Sequence, residues 1–253
     1  MAPKALAILI GAGPAAGAGI ARILAHPSHG NYAVALLARN ADNLSALAQS
    51  LRSSAPGSTI ESFPTDTAPA NLAKAFENIK AHSSFKGLKL RVTIYSIKNA
   101  SVKPFEEETF DQYMDSMQVF AGGAMAFAQE SLKLLFEHHG RQPLSEGGSH
   151  KGAIIFTGTL GALRTNPKFA SYGGSRAAVR SLAQAVAKEY SPLGVHGAHV
   201  VANGAIKDED NEGTQQGKSM SSDAVGKTYL WLAEQQPTLY THELDIRPAQ
   251  EKF

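Results

Sequence analysis

Short apolar runs alternate with longer amphipathic segments along the whole chain. The apolar runs have the length and continuity of strands buried on both faces of a parallel sheet. The predicted strands are 5–10, 32–38, 59–64, 88–95, 153–156, 195–202 and 239–246. The predicted helices are 16–25, 40–51, 72–82, 110–138, 172–190 and 223–235.

This alternation predicts the fold class. The chain shows neither an internal repeat nor a linker, so we expect one α/β domain over residues 1–253. Regular strand–helix alternation is typical of a doubly wound parallel sheet with helices on both faces. Residues 204–222 are polar and glycine-containing, without an apolar period, and we expect them to form a mobile loop or lid.

Composition excludes several classes of function. The chain has 253 residues, 43% of them hydrophobic, which suffices for one full core. A net charge of +2 does not indicate a nucleic-acid or membrane partner, and no apolar run is long enough for a membrane helix. The absence of cysteine excludes disulfides, thiolate chemistry and Cys-ligated zinc. We expect a cytoplasmic protein.

A glycine-rich turn follows the first predicted strand and opens the first predicted helix. Residues 11–19 are Gly-Ala-Gly-Pro-Ala-Ala-Gly-Ala-Gly. Glycines allow the backbone to approach a pyrophosphate, which then lies at the helix N-terminus. The same pattern also occurs in ordinary tight turns, but its place in an alternating chain favours nucleotide binding. The candidate contacts in this turn are Gly11, Gly13, Pro14, Ala15, Ala16 and Gly17.

The end of the second predicted strand indicates which nicotinamide cofactor would bind. An acidic side chain at this position binds the ribose 2′-hydroxyl of NAD. This chain has Arg39 and Asn40 instead, and an arginine can pair with the 2′-phosphate of NADP. The alternative is a solvated surface arginine. The missing carboxylate favours NADP(H), with Arg39 and Asn40 as candidate contacts.

A tyrosine, a threonine and an arginine form a candidate catalytic group. Tyr172 and Arg176 lie one helical turn apart, and Thr159 follows an apolar run. A fixed cation favours the ionised form of a nearby phenol, which improves the phenol as a proton donor near neutral pH. The hydroxyl of Thr159 could hold a substrate oxygen against Tyr172. The alternative is that Tyr172 only begins a helix, with its hydroxyl in water.

Together these residues resemble the short-chain dehydrogenase/reductase superfamily over nearly the whole chain. The resemblance also rests on Thr-Asp-Thr at 65–67 and on Asn-Gly-Ala-Ile at 203–206. It implies a Rossmann fold and reversible hydride transfer between a nicotinamide cofactor and a carbonyl or alcohol. By this resemblance, Tyr172 is the proton donor, and Thr159 stands where a serine usually orients the substrate carbonyl.

The resemblance also implies roles around the cofactor. Arg176 stands where a lysine usually binds the nicotinamide ribose, and Asp66 faces the adenine. The remaining implied contacts are Ser96, Tyr172, Gly204 and Ile206.

Several positions depart from the family pattern. Arg176 keeps the positive charge of the lysine but cannot relay a proton. Ala15 replaces the middle glycine of the turn, and residues 95–98 (Tyr-Ser-Ile-Lys) replace Asn-Asn-Ala-Gly, which we expect to put bulk next to the cofactor. Gln118 replaces the asparagine of the long helix as a fourth candidate catalytic residue, and Asn203 replaces a proline.

We therefore predict an NADP(H)-dependent carbonyl reductase or alcohol dehydrogenase acting on a small molecule. The departures leave two alternatives: a binding or regulatory protein on the same fold, and a cofactor-bearing scaffold for a non-redox biosynthetic step. Small residues in the predicted helices 110–138 and 172–190 permit close packing, and the resemblance places a dimer interface there. We expect a homodimer or homotetramer.

The sixth predicted strand carries two histidines, a residue type that often binds metal ions. His196 and His199 lie three residues apart, so they point to opposite faces of the strand and cannot share a metal. We expect one to be buried and the other exposed, and no metal site.

Overall fold

A seven-stranded parallel sheet forms the centre of the molecule. The computed structural model describes residues 2–98 and 101–252. The strand order is β3-β2-β1-β4-β5-β6-β9, and a separate small sheet pairs β7 with β8. The strands are β1 (Ala5–Ile10), β2 (Tyr32–Ala38), β3 (Ile60–Pro64), β4 (Leu90–Tyr95), β5 (Gly152–Gly158), β6 (Val195–Ala202), β7 (Ile206–Lys207), β8 (Met220–Ser221) and β9 (Glu243–Ile246). The predicted doubly wound sheet, with the topology of the Rossmann fold, is confirmed.

Helices cover both faces of this sheet. They are α1 (Ala16–Ala25), α2 (Ala41–Ser54), α3 (Pro69–Ala81), α4 (Phe110–Met117), α5 (Gly123–His139), α6 (Ala170–Tyr190), α7 (Glu212–Gln215) and α8 (Ser222–Ala233). The buried side chains of α1, α2 and α8 share one core, and those of α3, α5 and α6 share the other. In β1, Leu9 belongs to the first core, and Ile8 and Ile10 belong to the second. The strand is therefore apolar throughout because both of its faces are buried.

The strand order reverses between β1 and β4. In the register of the sheet, Ile10 at the end of β1 pairs with Leu37 on one side and Tyr95 on the other. In open α/β sheets, ligands bind at the carboxyl ends of the strands where the order reverses. This edge therefore positions the candidate site.

Local signals at helix starts agree with the observed boundaries. Asn40 caps α2 by accepting a hydrogen bond from the amide of Asn43 at 2.8 Å. Thr109 and Gln112 form a reciprocal capping box at the start of α4. Pro69 begins α3, where a missing N–H costs nothing.

Two expectations about secondary structure are corrected by the fold. The helical region 110–138 is interrupted by a π-helical segment, Gln118–Gly122, between α4 and α5. Residues 204–222 contain β7, α7 and β8, so they are not without regular structure. Met220 in this segment is buried because it joins the first core.

The histidines of β6 are both buried. His196 and His199 are 0% and 1% exposed, so the expectation that one would be exposed is wrong. His196 is covered by α8 and hydrogen-bonds to the carbonyl oxygen of Leu232. His199 lies on the opposite face, 3.3 Å from the carboxylate of Glu243 in β9. A strand flanked by β5 and β9 and covered by helices has no solvent-facing side.

None of the helices in the described part of the chain is both long and apolar enough to cross a membrane.

Candidate active site

The hydroxyl groups of Thr159 and Tyr172 meet at the carboxyl end of β5. Thr159 directly follows β5 and begins the 3-10 turn Leu160–Ala162, whereas Tyr172 lies in the first turn of α6. Their Oγ1 and Oη atoms are 3.0 Å apart, which is a hydrogen bond. Gly161 permits this approach, because a Cβ there would lie 3.0 Å from the tyrosine ring. The fold thus brings two sequence-predicted residues into direct contact.

Aromatic packing fixes the direction of the phenol. The half-buried Tyr172 ring meets Phe120 edge-on, with ring centroids 6.4 Å apart, and meets Phe169 in the same way at 5.8 Å. Such edge-to-face contacts are favourable and directional. The hydroxyl of Tyr172 therefore has a defined position beside Thr159.

Arg176 lies one turn after Tyr172 and is 3% exposed. Its Nη1 donates to the carbonyl of Thr157 at 3.1 Å, and its Nη2 donates to the carbonyl of Ile97 at 2.8 Å. The guanidinium carbon is 4.2 Å from the Phe120 ring centroid and 5.1 Å from that of Tyr172. Burial lowers the pKa of Arg176, and the neighbouring Tyr172 opposes this change. The arginine is thus a clamp between the ends of β4 and β5, with its charge behind the phenol.

The π-helical segment brings Phe120, and not Gln118, to this group. Phe120 is 1% exposed and contacts both Tyr172 and Arg176. Gln118 is exposed. A π turn inserts an extra residue and shifts the side chains that follow out of the register of a regular helix. The structure therefore does not bring Gln118 into the candidate catalytic group, which corrects its assignment from the sequence.

The same segment accommodates Tyr95. This side chain is 1% exposed, and its hydroxyl donates to the carbonyl of Val119 at 2.5 Å. Gly123 makes room for it, because a Cβ there would lie 2.6 Å from the phenol oxygen. Tyr95 is part of the second core, so the expectation that its bulk would lie next to the cofactor is wrong.

Gly11 links the glycine turn to this group. Its φ is +85°, which favours glycine, and a Cβ on it would overlap the carbonyl of Ser96. Its amide donates to the carbonyl of Leu37 at 2.9 Å, and the amide of Ser96 donates to that of Ile10 at 2.9 Å. Because Arg176 bonds to the next residue, Ile97, the glycine turn and the candidate catalytic group border one crevice.

The rest of the turn leaves a helix N-terminus open. Gly13, Ala15 and Ala16 are half-buried, and Pro14 is exposed. Gly17 packs on the backbone of Ala12, where a Cβ would lie 2.9 Å from Cα. The first amides of a helix lack partners within it and bind anions. The turn therefore fits a pyrophosphate even though Ala15 stands where the resemblance expects glycine.

Arg39 and Asp66 lie close together beyond this turn. Both are exposed, at the ends of β2 and β3. Hydrogen bonds from Asn71 and from the amide of Ala68, with the charge of Arg39, hold the pKa of Asp66 below its ordinary value. The Oδ1 of Asn40 caps α2, which leaves its Nδ2 for another acceptor. This group combines an exposed guanidinium with an oriented carboxylate.

The segment after β6 covers the other side of the crevice. Gly204 has a φ of +108° and lies against Pro248, and Ile206 in β7 pairs with Met220. Asn203 accepts a hydrogen bond from the amide of Leu160 at 3.2 Å.

Sequence reasoning missed two side chains near the site. No sequence pattern distinguishes Phe120, because it occupies an ordinary apolar position in a predicted helix. Glu251 is hydrogen-bonded by the Nδ2 of Asn203. This carboxylate is far from Asn203 in sequence, and no motif points to it.

Comparisons with known proteins agree with this architecture. The family model for short chain dehydrogenases matches residues 5–218. A search of curated proteins found no match. Among solved structures, a short-chain dehydrogenase from Rhodopseudomonas palustris is 25% identical, with a TM-score of 0.77 over 97% of this chain and 99% of that chain.

Two further structures share the fold at lower identity. An alcohol dehydrogenase from the archaeon Thermococcus sibiricus, complexed with 5-hydroxy-NADP, is 18% identical with a TM-score of 0.78, covering 98% of each chain. An NADPH-bound short chain oxidoreductase from Pseudomonas aeruginosa PAO1, with an atypical catalytic center, is 17% identical with a TM-score of 0.79 over 99% of this chain and 98% of that one. The family model covers most of the chain, residues 5–218, and the sheet has the topology of the Rossmann fold. The chain therefore belongs to the short-chain dehydrogenase family.

Proposed function

We propose that the protein is an NADP(H)-dependent oxidoreductase that reduces a carbonyl, or oxidises the matching alcohol, with Tyr172 as the proton donor. The observation that carries this proposal is the 3.0 Å hydrogen bond between Thr159 and Tyr172 at the carboxyl end of the sheet. Family membership supports the oxidoreductase class. The reacting oxygen of the carbonyl compound or alcohol must reach both hydroxyls at once.

The chain's own groups account for the proton side of the reduction. A carbonyl oxygen within reach of both hydroxyls accepts a hydrogen bond from Thr159 and the proton of Tyr172. The buried charge of Arg176 stabilises the phenolate that remains. Phe120 and Phe169 hold the ring while its hydroxyl changes protonation state. NADPH, when bound, supplies the hydride.

The cofactor preference rests on Arg39. The exposed guanidinium at the end of β2 suits a charge-assisted pair with a 2′-phosphate. Arg39, Asp66 and Lys74 also line an open surface depression of about 590 Å³ beside β3 and α3. The neighbours complexed with 5-hydroxy-NADP and with NADPH are consistent with this choice. Gly11, Gly13 and the first turn of α1 would hold the pyrophosphate.

Calorimetric titration with NADPH and with NADH tests the cofactor assignment. We expect micromolar NADPH binding and weaker NADH binding. Arg39→Ala should lower NADPH affinity about tenfold or more and leave NADH affinity unchanged, because only the phosphate loses a charged partner. Arg141→Ala, which removes an exposed arginine stacked on Phe136, is the control and should change neither affinity. Equal affinities for both cofactors would refute the role of Arg39.

One observation favours a second candidate function. Both terminal nitrogens of Arg176 already bond to main-chain carbonyls, which limits its use as a ribose anchor. A catalytically altered protein that binds ligands, or a scaffold for a non-redox step, would fit this arrangement. Absence of binding to either cofactor would support the first, and NADPH binding without hydride transfer to any carbonyl would support the second.

We also propose that the protein forms a homodimer or homotetramer. Large apolar side chains are exposed before and along α4 and at the start of α5: Phe105 at 81%, Phe110 at 76%, Met114 at 45% and Met125 at 51%. Contiguous exposed apolar groups on a folded protein mark contact surfaces. Light scattering during size-exclusion chromatography should give at least twice the 26.7 kDa of one chain. A monomer at micromolar concentration would contradict the proposal.

A further inference from the structure

We propose that the C-terminal segment, residues 247–252, is part of the catalytic unit, because Glu251 fixes Asn203 and Asn203 fixes the turn that follows Thr159. Asn203 is thus a positioning residue. The effect on catalysis rests on the proposed function, whereas the structural link stands without it.

Asn203 connects three parts of the chain. Its backbone N–H donates to the carbonyl of Ile246 at the end of β9, at 3.1 Å. Its Oδ1 accepts from the amide of Leu160 at 3.2 Å, and its Nδ2 donates to the Oε1 of Glu251. Leu160 directly follows Thr159, so this side chain holds the main chain beside the candidate catalytic hydroxyl.

The side-chain chemistry of Asn203 is what makes the link possible. A residue between a backbone N–H and a carboxylate must accept on one side and donate on the other, and a carboxamide does both. A proline at this position would have no polar side chain. Asn203 stands where the family pattern has proline, and this chain supplies Glu251 as the acceptor for its side-chain N–H.

The C-terminal segment is held over the residues after β6 by further contacts. The amide of Gln250 donates to the carbonyl of Gly217 at 2.8 Å, and its Nε2 donates to that of Gln216 at 2.8 Å. A Cβ on Gly204 would lie 2.7 Å from Pro248. The segment therefore lies directly on the main chain at Gly204, Gln216 and Gly217, and the resemblance implies that Gly204 is a cofactor contact.

The surroundings of Glu251 favour a single arrangement of its hydrogen bond with Asn203. Its side chain is 15% exposed, and its carboxylate lies 4.0 Å from the guanidinium of Arg247. Its Oε2 is buried and has no hydrogen-bond partner among the described residues. A half-satisfied buried carboxylate binds the donor it does have more strongly than a solvated one. Loss of the Asn203 donor would leave Glu251 costly to keep buried.

An exchange of the two functional groups tests the link. Asn203→Asp keeps the acceptor for Leu160 but places two carboxylates together and removes the donor. Glu251→Gln in the same chain restores a donor, so that the amide of the new side chain bonds to the new carboxylate. The same hydrogen bond then forms with its direction reversed.

Hydrogen exchange measures the link without any substrate. In Asn203→Asp, the amides of residues 160–162 and 216–218 should exchange at least about tenfold faster, since a loss near 1.4 kcal/mol in local stability gives that factor. The double variant should return to the wild-type rate. Glu137→Gln, which breaks an exposed pair with Lys80, is the control and should change neither region. Unchanged exchange in Asn203→Asp, or no recovery in the double variant, would overturn the proposal.

Kinetics then separate this inference from the proposed function. With a carbonyl substrate found by screening, Asn203→Asp should lower kcat about tenfold with little change in NADPH affinity, and the double variant should recover kcat. If NADPH does not bind the wild-type protein, but hydrogen exchange is faster in Asn203→Asp and returns to the wild-type rate in the double variant, the proposed function is refuted and the link between Asn203 and Glu251 is supported. A kcat that follows NADPH affinity in both variants would contradict a positioning role.

Discussion

The phenol of Tyr172 has two polar neighbours with different effects. Thr159 shares a hydrogen bond with it and can share a substrate oxygen, whereas Arg176 supplies a charge from behind the ring. The first neighbour affects where a substrate lies, and the second affects the stability of the ionised phenol. Substitutions of Thr159 and of Arg176 should therefore lower activity for different reasons.

Tyr172→Phe removes only the reacting oxygen. We expect kcat to fall about 10²–10⁴-fold, the usual contribution of a positioned acid, with NADPH affinity retained. The ring contacts with Phe120 and Phe169 remain, so the thermal midpoint should change little. Steady-state kinetics and NADPH titration measure the two effects. Unchanged turnover would rule out Tyr172 as the proton donor.

Arg176→Lys keeps the positive charge and loses the forked guanidinium group. One ammonium group cannot reproduce two divergent hydrogen bonds to Thr157 and Ile97, so a buried carbonyl loses its partner. We expect the free energy of unfolding in urea to fall by about 1–3 kcal/mol. Arg180→Lys on the same helix replaces a two-bond surface pair with Glu243 by a simpler ion pair and should cost less than about 1 kcal/mol. Equal losses would contradict the clamp role of Arg176.

At the scale of elements, two close approaches shape the site. The π-helical segment Gln118–Gly122 brings Phe120 to Tyr172, and Tyr95 satisfies a carbonyl of that segment. On the other face of the sheet, α1 and α8 touch backbone to backbone. A Cβ on Gly226 in α8 would overlap the carbonyl of Gly19 in α1. This contact sets the direction of α1, whose N-terminus faces the crevice.

Gly226→Ala should therefore separate the two helices. Overpacking of this kind costs about 1–3 kcal/mol. The control is Gly122→Ala, where a Cβ meets only the carbonyl of Met117 at 4.0 Å, and which should be neutral or stabilising by about 0.5–1 kcal/mol. Urea unfolding measures both. A neutral Gly226→Ala would show that α1 and α8 can shift without loss.

At the scale of the whole molecule, the half-buried His150 and the buried His196 and His199 make stability depend on pH. Burial lowers the pKa of His150 to about 4, with the charge of Arg91 adding to the effect. Burial also lowers the pKa values of His196 and His199. Above pH 6.5 these imidazoles are neutral in both the folded and the unfolded chain, so the stability is at its full value.

Below pH 6.5 the unfolded chain binds protons that the folded chain does not. The free energy of unfolding should fall by up to about 1.4 kcal/mol per pH unit for each such histidine, and the contribution of His150 should level off near pH 4. Urea unfolding from pH 8 to pH 5 measures this slope. His150→Gln should reduce the slope, and a stability that rises as the pH falls would contradict the assignment.

The order of strands and helices along the chain followed from the sequence, because short continuous apolar runs such as Ala5–Ile10, each followed by a longer amphipathic segment, are typical of strands buried on both faces. The glycine turn was predictable for a similar reason: the positive φ of Gly11 and its approach to Ser96 exclude a side chain. Tyr172, Thr159 and Arg176 could be grouped from spacing alone, since each lies at the end of an element that packs at the same edge.

Other features depended on contacts between distant parts of the chain. The π turn moved Phe120, and not Gln118, to Tyr172, because helical periodicity does not record one inserted residue. Tyr95 turned into the core because the fold supplied the carbonyl of Val119 as its acceptor. The link from Asn203 to Glu251 exists only where the end of β6 meets the C-terminal segment. The apolar pattern determines which strands are buried on both faces, whereas the burial and the partner of each polar group are decided by the tertiary packing that removes water from it.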